Sequence, residues 1–598
     1  MDSKVMWVWG LLIIYIIYCF WWGIKGFISE KTASGYGIAG RSIPFIAFLM
    51  AATAASFSGW TFVGHPGLIW KVGLVYAFAS FYVLTIPITG AFFAKRNWLM
   101  GKRYGFITPG DMFAYYYNNE LVRWLTVLAA LLYSIFYSGI QLIAASKLFY
   151  WVAGVPTTYG LVFMAFIVWF YVVTGGLKAS TWVGVLQFVL LVGGIILLGF
   201  YVIKSPIIGG WTGMSASLKT LDPKLSQVPG LIHFGIGGGW TAVMILTYMF
   251  ALMGIQSSPA FILWNFGIKS PKPLAWQQVF MSTFVVGICL FFFSAFQGMG
   301  AKILEMSGDM IIANNGDVVP KLMMKFLPGP VLGLVFLGAI AAIHSTSAPY
   351  IGTGGTILQR DVWWRYVKKQ QGSHNEQIWT NRVFATLLTL AAVVVSLTSS
   401  DAIVMIGGFA TTFGTIMYLM LVGVHWGFKF PSKGAALGLL AGIVVNMLTY
   451  FVWKYPLSMH TAFWGLFAGF VVAYGCRGLG IKDSQETIDR QKEVREWLNS
   501  IDGPSEKGKV WRSRMKIIVP IWYFFALGPG ILLGNATSPT AFTFCGFPAI
   551  WAWQIVWWIV GIVMMWALCF KAEMSTTSEE QIRRADVELM DVTKEADA

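Results

Sequence analysis

The sequence predicts an all-α polytopic membrane protein of about fifteen transmembrane spans, N-terminus outside and C-terminus cytoplasmic. Three observations carry that reading. Of 598 residues, 57% are hydrophobic and only 11% charged, against about 25% charged in an average soluble domain. Apolar runs of roughly 20 residues, the length that crosses a bilayer core, recur along the whole chain. All 26 Asp and Glu fall in loops, tails or span ends, so no carboxylate sits in the middle of a span. This composition excludes a secreted disulfide scaffold, a disordered chain and an ordinary cytosolic enzyme. The five cysteines show no paired spacing, so neither a disulfide framework nor a metal site is implied.

In chain order the spans are read at 6–28, 43–70, 73–94, 124–151, 156–177, 181–203, 239–264, 276–301, 329–358, 382–399, 402–425, 435–453, 459–476, 517–534 and 548–570. They are numbered 1 to 15 here. Span 1 is expected to be a retained helix: its apolar run is too long for a signal peptide and no small-residue cleavage site follows. The loops after odd-numbered spans and the C-terminal tail, counted with Lys25 and Arg382 at their boundaries, hold 32 of the 42 Lys and Arg. The positive-inside rule makes those loops cytoplasmic. The formal charge of +16 is thus a topology signal, and no nucleic-acid partner is expected.

The chain divides into a leading helix and loop (1–42), a ten-helix core (43–425), two additional spans (426–476), a charged cytoplasmic linker (477–515), two C-terminal spans (516–570) and a tail (571–598). Asp401 opens span 11. In the linker, Ile488, Val494, Trp497, Leu498 and Ile501 make an apolar stripe that either lies on the membrane or belongs to a solvated helix. The C-terminal pair is expected to be an accessory to the core.

Spans 2 and 7 carry interruptions. Span 2 contains Ser56-Phe57-Ser58-Gly59 and then Gly64-His65-Pro66-Gly67; span 7 contains Gly254-Ile255-Gln256-Ser257-Ser258-Pro259. Freed backbone groups survive in lipid only where they line a cavity or meet a neighbour. Broken helices at matching places in two halves point to a transporter binding site. Spans 2–6 and 7–11 are five spans each, and an odd number gives the two units opposite orientations. In span 9, Ser345 and Thr346 share a helix face with the carbonyl of Ala342 one turn earlier. Such hydroxyls either bond the preceding turn or face a cation. With no mid-span carboxylate, only His65 and His344 are candidates for a membrane proton relay. A cation there would be held by carbonyls and hydroxyls, a set that suits Na⁺ and not Zn²⁺ or iron. Gly352-Thr353-Gly354-Gly355 reads as a helix-packing surface.

At these residues the sequence resembles the sodium:solute symporters. The resemblance covers most of 1–476. It rests on Gly40-Arg41, Ser58-Gly59-Trp60, Gly175-Gly176 followed by Thr181-Trp182, and Ala341-Ala342-x-x-Ser345-Thr346 followed by Arg360-Asp361. It implies a LeuT-like fold of 5+5 inverted repeats with extra helices. It also implies Na⁺ as coupling ion, at a site where span 2 meets span 9. The matching positions are the carbonyls of Ala54, Phe57 and Ala342 and the hydroxyls of Ser345 and Thr346. Two departures matter. Gly184 stands where many members have an Asp serving a further sodium, and Ser56 stands where proline symporters have an Asp. The run Gly175–Val183 looks closest to the acetate and monocarboxylate members.

The solute cavity is expected between the broken parts of spans 2 and 7 and spans 4 and 11. Its candidates are Thr61, His65, Tyr137, Gln141, Gln256, Ser257, Ser258, Thr411 and Thr412. No Arg or Lys lies mid-span to pair with an anion, so a neutral, zwitterionic or small monoanionic solute is expected. The function expected is sodium-coupled import of a small organic solute, a monocarboxylate first and an amino acid second, across a bacterial plasma membrane. A transporter-like solute sensor and a channel are the alternatives. No enzyme pattern is found: there is no nucleophile elbow, P-loop or HExxH.

Overall fold

The computed structural model describes residues 3–220, 223–235, 239–398 and 403–584. Asp401 and the distal tail lie outside the described residues. Among the described residues the elements are helices, joined by two isolated β-bridges. Ten helices are long and apolar enough to cross a membrane, or up to eleven if the bent pair in span 2 is one span.

That number is smaller than fifteen for identifiable reasons. Spans 5 and 6 are merged in one helical run, Thr157–Ile203, of 47 residues. A straight helix of that length would be about 70 Å, more than twice the bilayer core. The run is in fact a hairpin. Gly176 interrupts it at φ 60° and ψ −153°, torsions that a Cβ would oppose. Span 1 shows the reversal. Trp9 packs on Phe163 and Gly26 meets Gly175, so span 1 runs parallel to the first half. Trp22 then stacks on Trp182 while Tyr15 meets Gln187, so it runs antiparallel to the second half. Span 7 is two shorter helices, Ala242–Met253 and Pro259–Gly267. The helix of span 14, Glu506–Ala526, begins inside the segment read as linker.

The start of span 2 and the end of span 7 lie side by side. Ile43 N–H donates to the Gly267 carbonyl at 3.1 Å, and Lys269 N–H donates to the Ile43 carbonyl at 3.0 Å. Two units of opposite orientation require this. Both spans are broken. Phe45–Ser56 ends at Phe57 in extended torsions (φ −120°, ψ 100°), and the continuation Trp60–Val72 is bent from it by 51°. In span 7 the chain unwinds over Gly254–Ser258, and Pro259 restarts the helix with the Ser258 hydroxyl accepting from Phe261 N–H. Proline suits the first turn because its missing N–H has no helical partner there. The unwound part sits hard against span 11: a Cβ on Gly414 would lie 2.0 Å from the Gly254 carbonyl oxygen.

The linker and C-terminal pair pack onto the core. In the helix Gln485–Ile501, Val494, Leu498 and Ile501 are buried against protein, Trp497 is half-buried and Ile488 is exposed, so most of the apolar stripe is covered by protein. Its partners are the short helix Pro109–Tyr117 and the ends of spans 3 and 11. Asp502 at its end is buried between Lys95 (2.5 Å) and Arg96 (2.7 Å). Span 15 donates from Trp551 to the Phe291 carbonyl, from Trp558 to the Thr283 carbonyl and from Gln554 to the Leu74 carbonyl, each at 2.9 Å. These contacts bind the extension to spans 3 and 8, a closer union than the accessory role expected from the sequence.

Candidate functional site

Span 9 crosses span 2 at the break. Ser345 Oγ donates to the Ala54 carbonyl at 3.0 Å and to the Ala342 carbonyl at 3.2 Å. Thr346 Oγ1 bonds the Ala55 carbonyl at 3.4 Å and the Ala342 carbonyl at 3.2 Å. The back-bond to the preceding turn and the reach across to span 2 therefore coexist. Five oxygens converge, those of Ala54, Ala55, Ala342, Ser345 and Thr346, and all five residues are buried. Ala54, Ala342, Ser345 and Thr346 are candidates from the sequence; Ala55 is not. Phe57 is held at the break by its own N–H, which donates to the Ala54 carbonyl at 3.2 Å. An oxygen-only set of this kind can hold a hard monovalent cation.

The solute candidates separate into two groups around this crossing, all of them buried. Around span 2, Gln141 Oε1 accepts from Gly59 N–H at 2.8 Å while its amide donates to the Tyr137 carbonyl at 3.2 Å. Thr61 Oγ1 shares a 2.6 Å hydrogen bond with Tyr82 OH, and His65 Nε2 shares a 3.0 Å bond with Ser80 Oγ. Tyr137 packs on Tyr133 and Tyr350. Around span 7, Ser257 Oγ donates to the Gly414 carbonyl at 2.8 Å, and Gln256 Nε2 bonds Gln277 Oε1 at 3.3 Å. Thr411 and Thr412 bond back to the Gly408 and Phe409 carbonyls. Their hydroxyls serve the helix of span 11 in this geometry.

The two histidines do not form a relay with each other. His344 Nδ1 pairs with Tyr15 OH at 3.0 Å, which receives the Gln187 amide at 2.7 Å. His65 lies instead among Trp60, Tyr76 and Tyr82. These aromatics were not among the sequence candidates. Span 3 contributes Tyr76 and Tyr82, and span 7 contributes Tyr248 from before its break. Only Trp60, inside the Ser58-Gly59-Trp60 stretch, carried a sequence signal.

At the face opposite the basic loops a cavity of about 860 Å³ opens over this cluster. Leu68 and Lys71 at the end of the span 2 helix, Trp240 at the start of span 7, Asn315, and Leu532 and Asn535 from the C-terminal extension are among its lining residues. Asn535 clamps the opposite wall, accepting from Val228 N–H at 2.9 Å and donating to the Val228 carbonyl at 3.1 Å. On the basic face, Arg123 bridges Asp111 (2.9 Å) and Asp361 (2.7 Å), tying the start of span 4 to the end of span 9. Burial pushes the Asp111 carboxyl up, but Arg360 and Arg123 outweigh it and hold the group below its usual range.

Comparison with known proteins places the chain. The family model for the Sodium:solute symporter family matches residues 36–442. The chain is 24% identical over 458 residues to the sodium/pantothenate symporter of Haemophilus influenzae, covering 73% of this chain and 88% of that one. It is 25% identical over 462 residues to the sodium/glucose cotransporter of Vibrio parahaemolyticus (72% and 81%). It is 25% identical over 495 residues to a sodium/proline symporter of Staphylococcus aureus (78% and 91%). Its fold is that of a Na⁺-coupled sialic acid symporter solved in a substrate-bound outward-open state, with a TM-score of 0.67 at 17% identity, over 80% of this chain and 99% of the other. The chain belongs to the sodium:solute symporter family, integral membrane transporters that use Na⁺ as the coupling ion.

Proposed function

We propose that the protein imports a small organic solute across a bacterial plasma membrane by sodium-driven alternating access, its basic face in the cytoplasm. The observation that carries this is the pair of hydroxyls from span 9 bonded across to carbonyls at the break in span 2. A hydroxyl keeps lone pairs when its proton rotates away. Na⁺ held by Ala54, Phe57, Ala342, Ser345 and Thr346 would therefore replace proton-mediated bonds with ion–oxygen bonds and pin the two spans together. The solute then binds against the fixed break and closes the site. For a neutral or zwitterionic solute, one charge moving down the membrane potential yields about 2.3 kcal/mol per 100 mV; a monocarboxylate carried with one sodium moves no net charge and is concentrated by the sodium concentration gradient alone.

The relatives named above are symporters of pantothenate, glucose and proline, which supports a small organic solute as the cargo class. The resemblance of Gly175–Val183 to the acetate and monocarboxylate members puts a monocarboxylate first; an amino acid is the second reading. Radiolabelled uptake into proteoliposomes with an imposed sodium gradient tests the reading over acetate, lactate, pyruvate, amino acids and sugars. Sodium-driven accumulation of one of these is expected. Flux that merely equilibrates the solute, as through a channel, or no flux at all, as for a sensor, would sink it.

A further inference from the structure

Two chains of side-chain hydrogen bonds converge on Gly90, in the half of span 3 that runs to the basic face. The first starts in span 2, one residue before Ala54. Thr53 Oγ1 donates its proton to the Leu49 carbonyl at 2.6 Å, so toward Gln277 it can only accept. Gln277 therefore turns Nε2 to Thr53, at 3.3 Å, and Oε1 to Gln256 Nε2, also at 3.3 Å. An amide carries its donors on one end and its acceptor on the other, so Gln256, in the unwound part of span 7, is left presenting Oε1. A Cβ on Gly90 would press on that oxygen.

The second chain starts in the C-terminal extension. Ser575, just after span 15, donates from Oγ to Gln278 Oε1 at 2.5 Å, and Cys569 Sγ donates to the same oxygen at 3.2 Å. Two donors at one end fix the amide, so Gln278 presents Nε2. That nitrogen is buried and has no hydrogen-bond partner among the described residues. It would lie 2.7 Å from the same Cβ on Gly90. An acceptor on span 7 and a donor held by the extension thus face each other across a glycine, the one residue that leaves them room.

The two groups are anchored differently. Gln278 is held in the helix of span 8 and pinned from the extension. Gln256 lies where the helices Ala242–Met253 and Pro259–Gly267 are interrupted. The extension also reaches the start of that interruption, where Tyr523 OH of span 14 donates to Met253 Sδ at 3.4 Å. A contact biases a conformational equilibrium only if it differs between the two states. The link between Gln278 Nε2 and Gln256 Oε1 is open in this geometry, and a shift of the unwound segment closes it.

We propose that Gln278 is a positioning residue for Gln256: the C-terminal extension holds the Gln278 amide so that it bonds Gln256 when the unwound part of span 7 shifts in the transport cycle, and this bond sets the affinity for solute. This rests on the reading of Gln256 as a solute residue. It ties the extension to transport through one side chain.

The test uses the full-length protein. Hydrogen–deuterium exchange of residues 254–258 is followed in sodium buffer for the wild type, Gln278→Met, Ser575→Ala and Ser575→Thr. Met keeps the length of Gln278 and removes both ends of its amide; Thr keeps the hydroxyl of Ser575. Exchange is expected to rise about tenfold in Gln278→Met and about threefold in Ser575→Ala, as loss of neutral hydrogen bonds implies, and to keep the wild-type rate in Ser575→Thr. In proteoliposomes with a sodium gradient, KM is measured for whichever solute of the panel above the wild type accumulates. It should rise by the same factors, while the sodium concentration for half-maximal uptake at saturating solute stays that of the wild type. A residue that only packs would lower the unfolding temperature without separating KM from the sodium dependence. Wild-type exchange at 254–258 in Gln278→Met overturns the proposal whatever uptake shows. Raised exchange with an unchanged KM overturns the role in solute affinity. If the wild type accumulates nothing, the importer reading falls by itself, and the exchange rates still decide whether the extension holds span 7 through Gln278.

Discussion

Ser345 and Thr346 carry the sharpest prediction. Ser345→Ala and Thr346→Ala should each raise the sodium concentration for half-maximal uptake by roughly tenfold, since each removes an oxygen from a buried site. The double variant should reach the membrane and be nearly inactive; wild-type sodium dependence in it would remove the assignment. Gly184 carries the expectation for stoichiometry, which comes from the resemblance to the family. A Cβ there would lie 2.7 Å from that of Ala51, so spans 2 and 6 touch where other members carry a further acidic ligand. One sodium per solute is expected, and a sodium-to-solute flux ratio of two would contradict it. The hydroxyl pair and Ala342 were legible in the sequence because helical spacing alone puts them on one face. The role of Ala55 was not. Which carbonyl turns toward span 9 depends on torsions at Phe57 that no spacing specifies.

Among the elements, the linker helix and the C-terminal pair depart furthest from expectation. Asp502 is buried against two cations. Burial pushes its carboxyl up, and Lys95 with Arg96 more than offset that and hold it below the ordinary range. Its stabilising contribution is therefore complete above the unfolded value of about 4 and is lost as pH falls through the depressed folded value. Between pH 5 and 8 it should be constant. Asp502→Ala leaves Lys95 and Arg96 buried without their counter-ion and should cost about 3–5 kcal/mol, read as a lowered unfolding temperature in detergent. An unchanged temperature would show that the pair rearranges freely. A chain ending at Gly478 loses Asp502, the contacts of span 15 to spans 3 and 8, and one wall of the outer cavity. We expect it to insert but to show no sodium-driven uptake at matched protein amounts; retained uptake would return the extension to an accessory role.

For the molecule as a whole, the prediction concerns energy coupling. Within the membrane His344 bonds to Tyr15 and His65 to Ser80, in separate networks. Uptake should follow a sodium gradient at constant pH and should stop when a proton gradient is supplied without sodium. Full-rate uptake under the second condition would refute sodium coupling.

Five-span parity led to the expectation of two units opposite in orientation, and hydropathy found the apolar helices, because crossing lipid demands long apolar helices with satisfied backbones. The reversal between spans 5 and 6 was legible for the same reason; its place at Gly176 was not. The broken helices were legible from Gly and Pro. Tertiary structure alone decided what the breaks face. Trp60, Tyr76 and Tyr248 come from three different spans, and they gather in one place only because spans 2, 3 and 7 close around one point. Likewise the apolar stripe of the linker could have covered lipid, water or protein. Periodicity states that a face is apolar; which surface covers it depends on burial and charge pairing between elements distant in sequence.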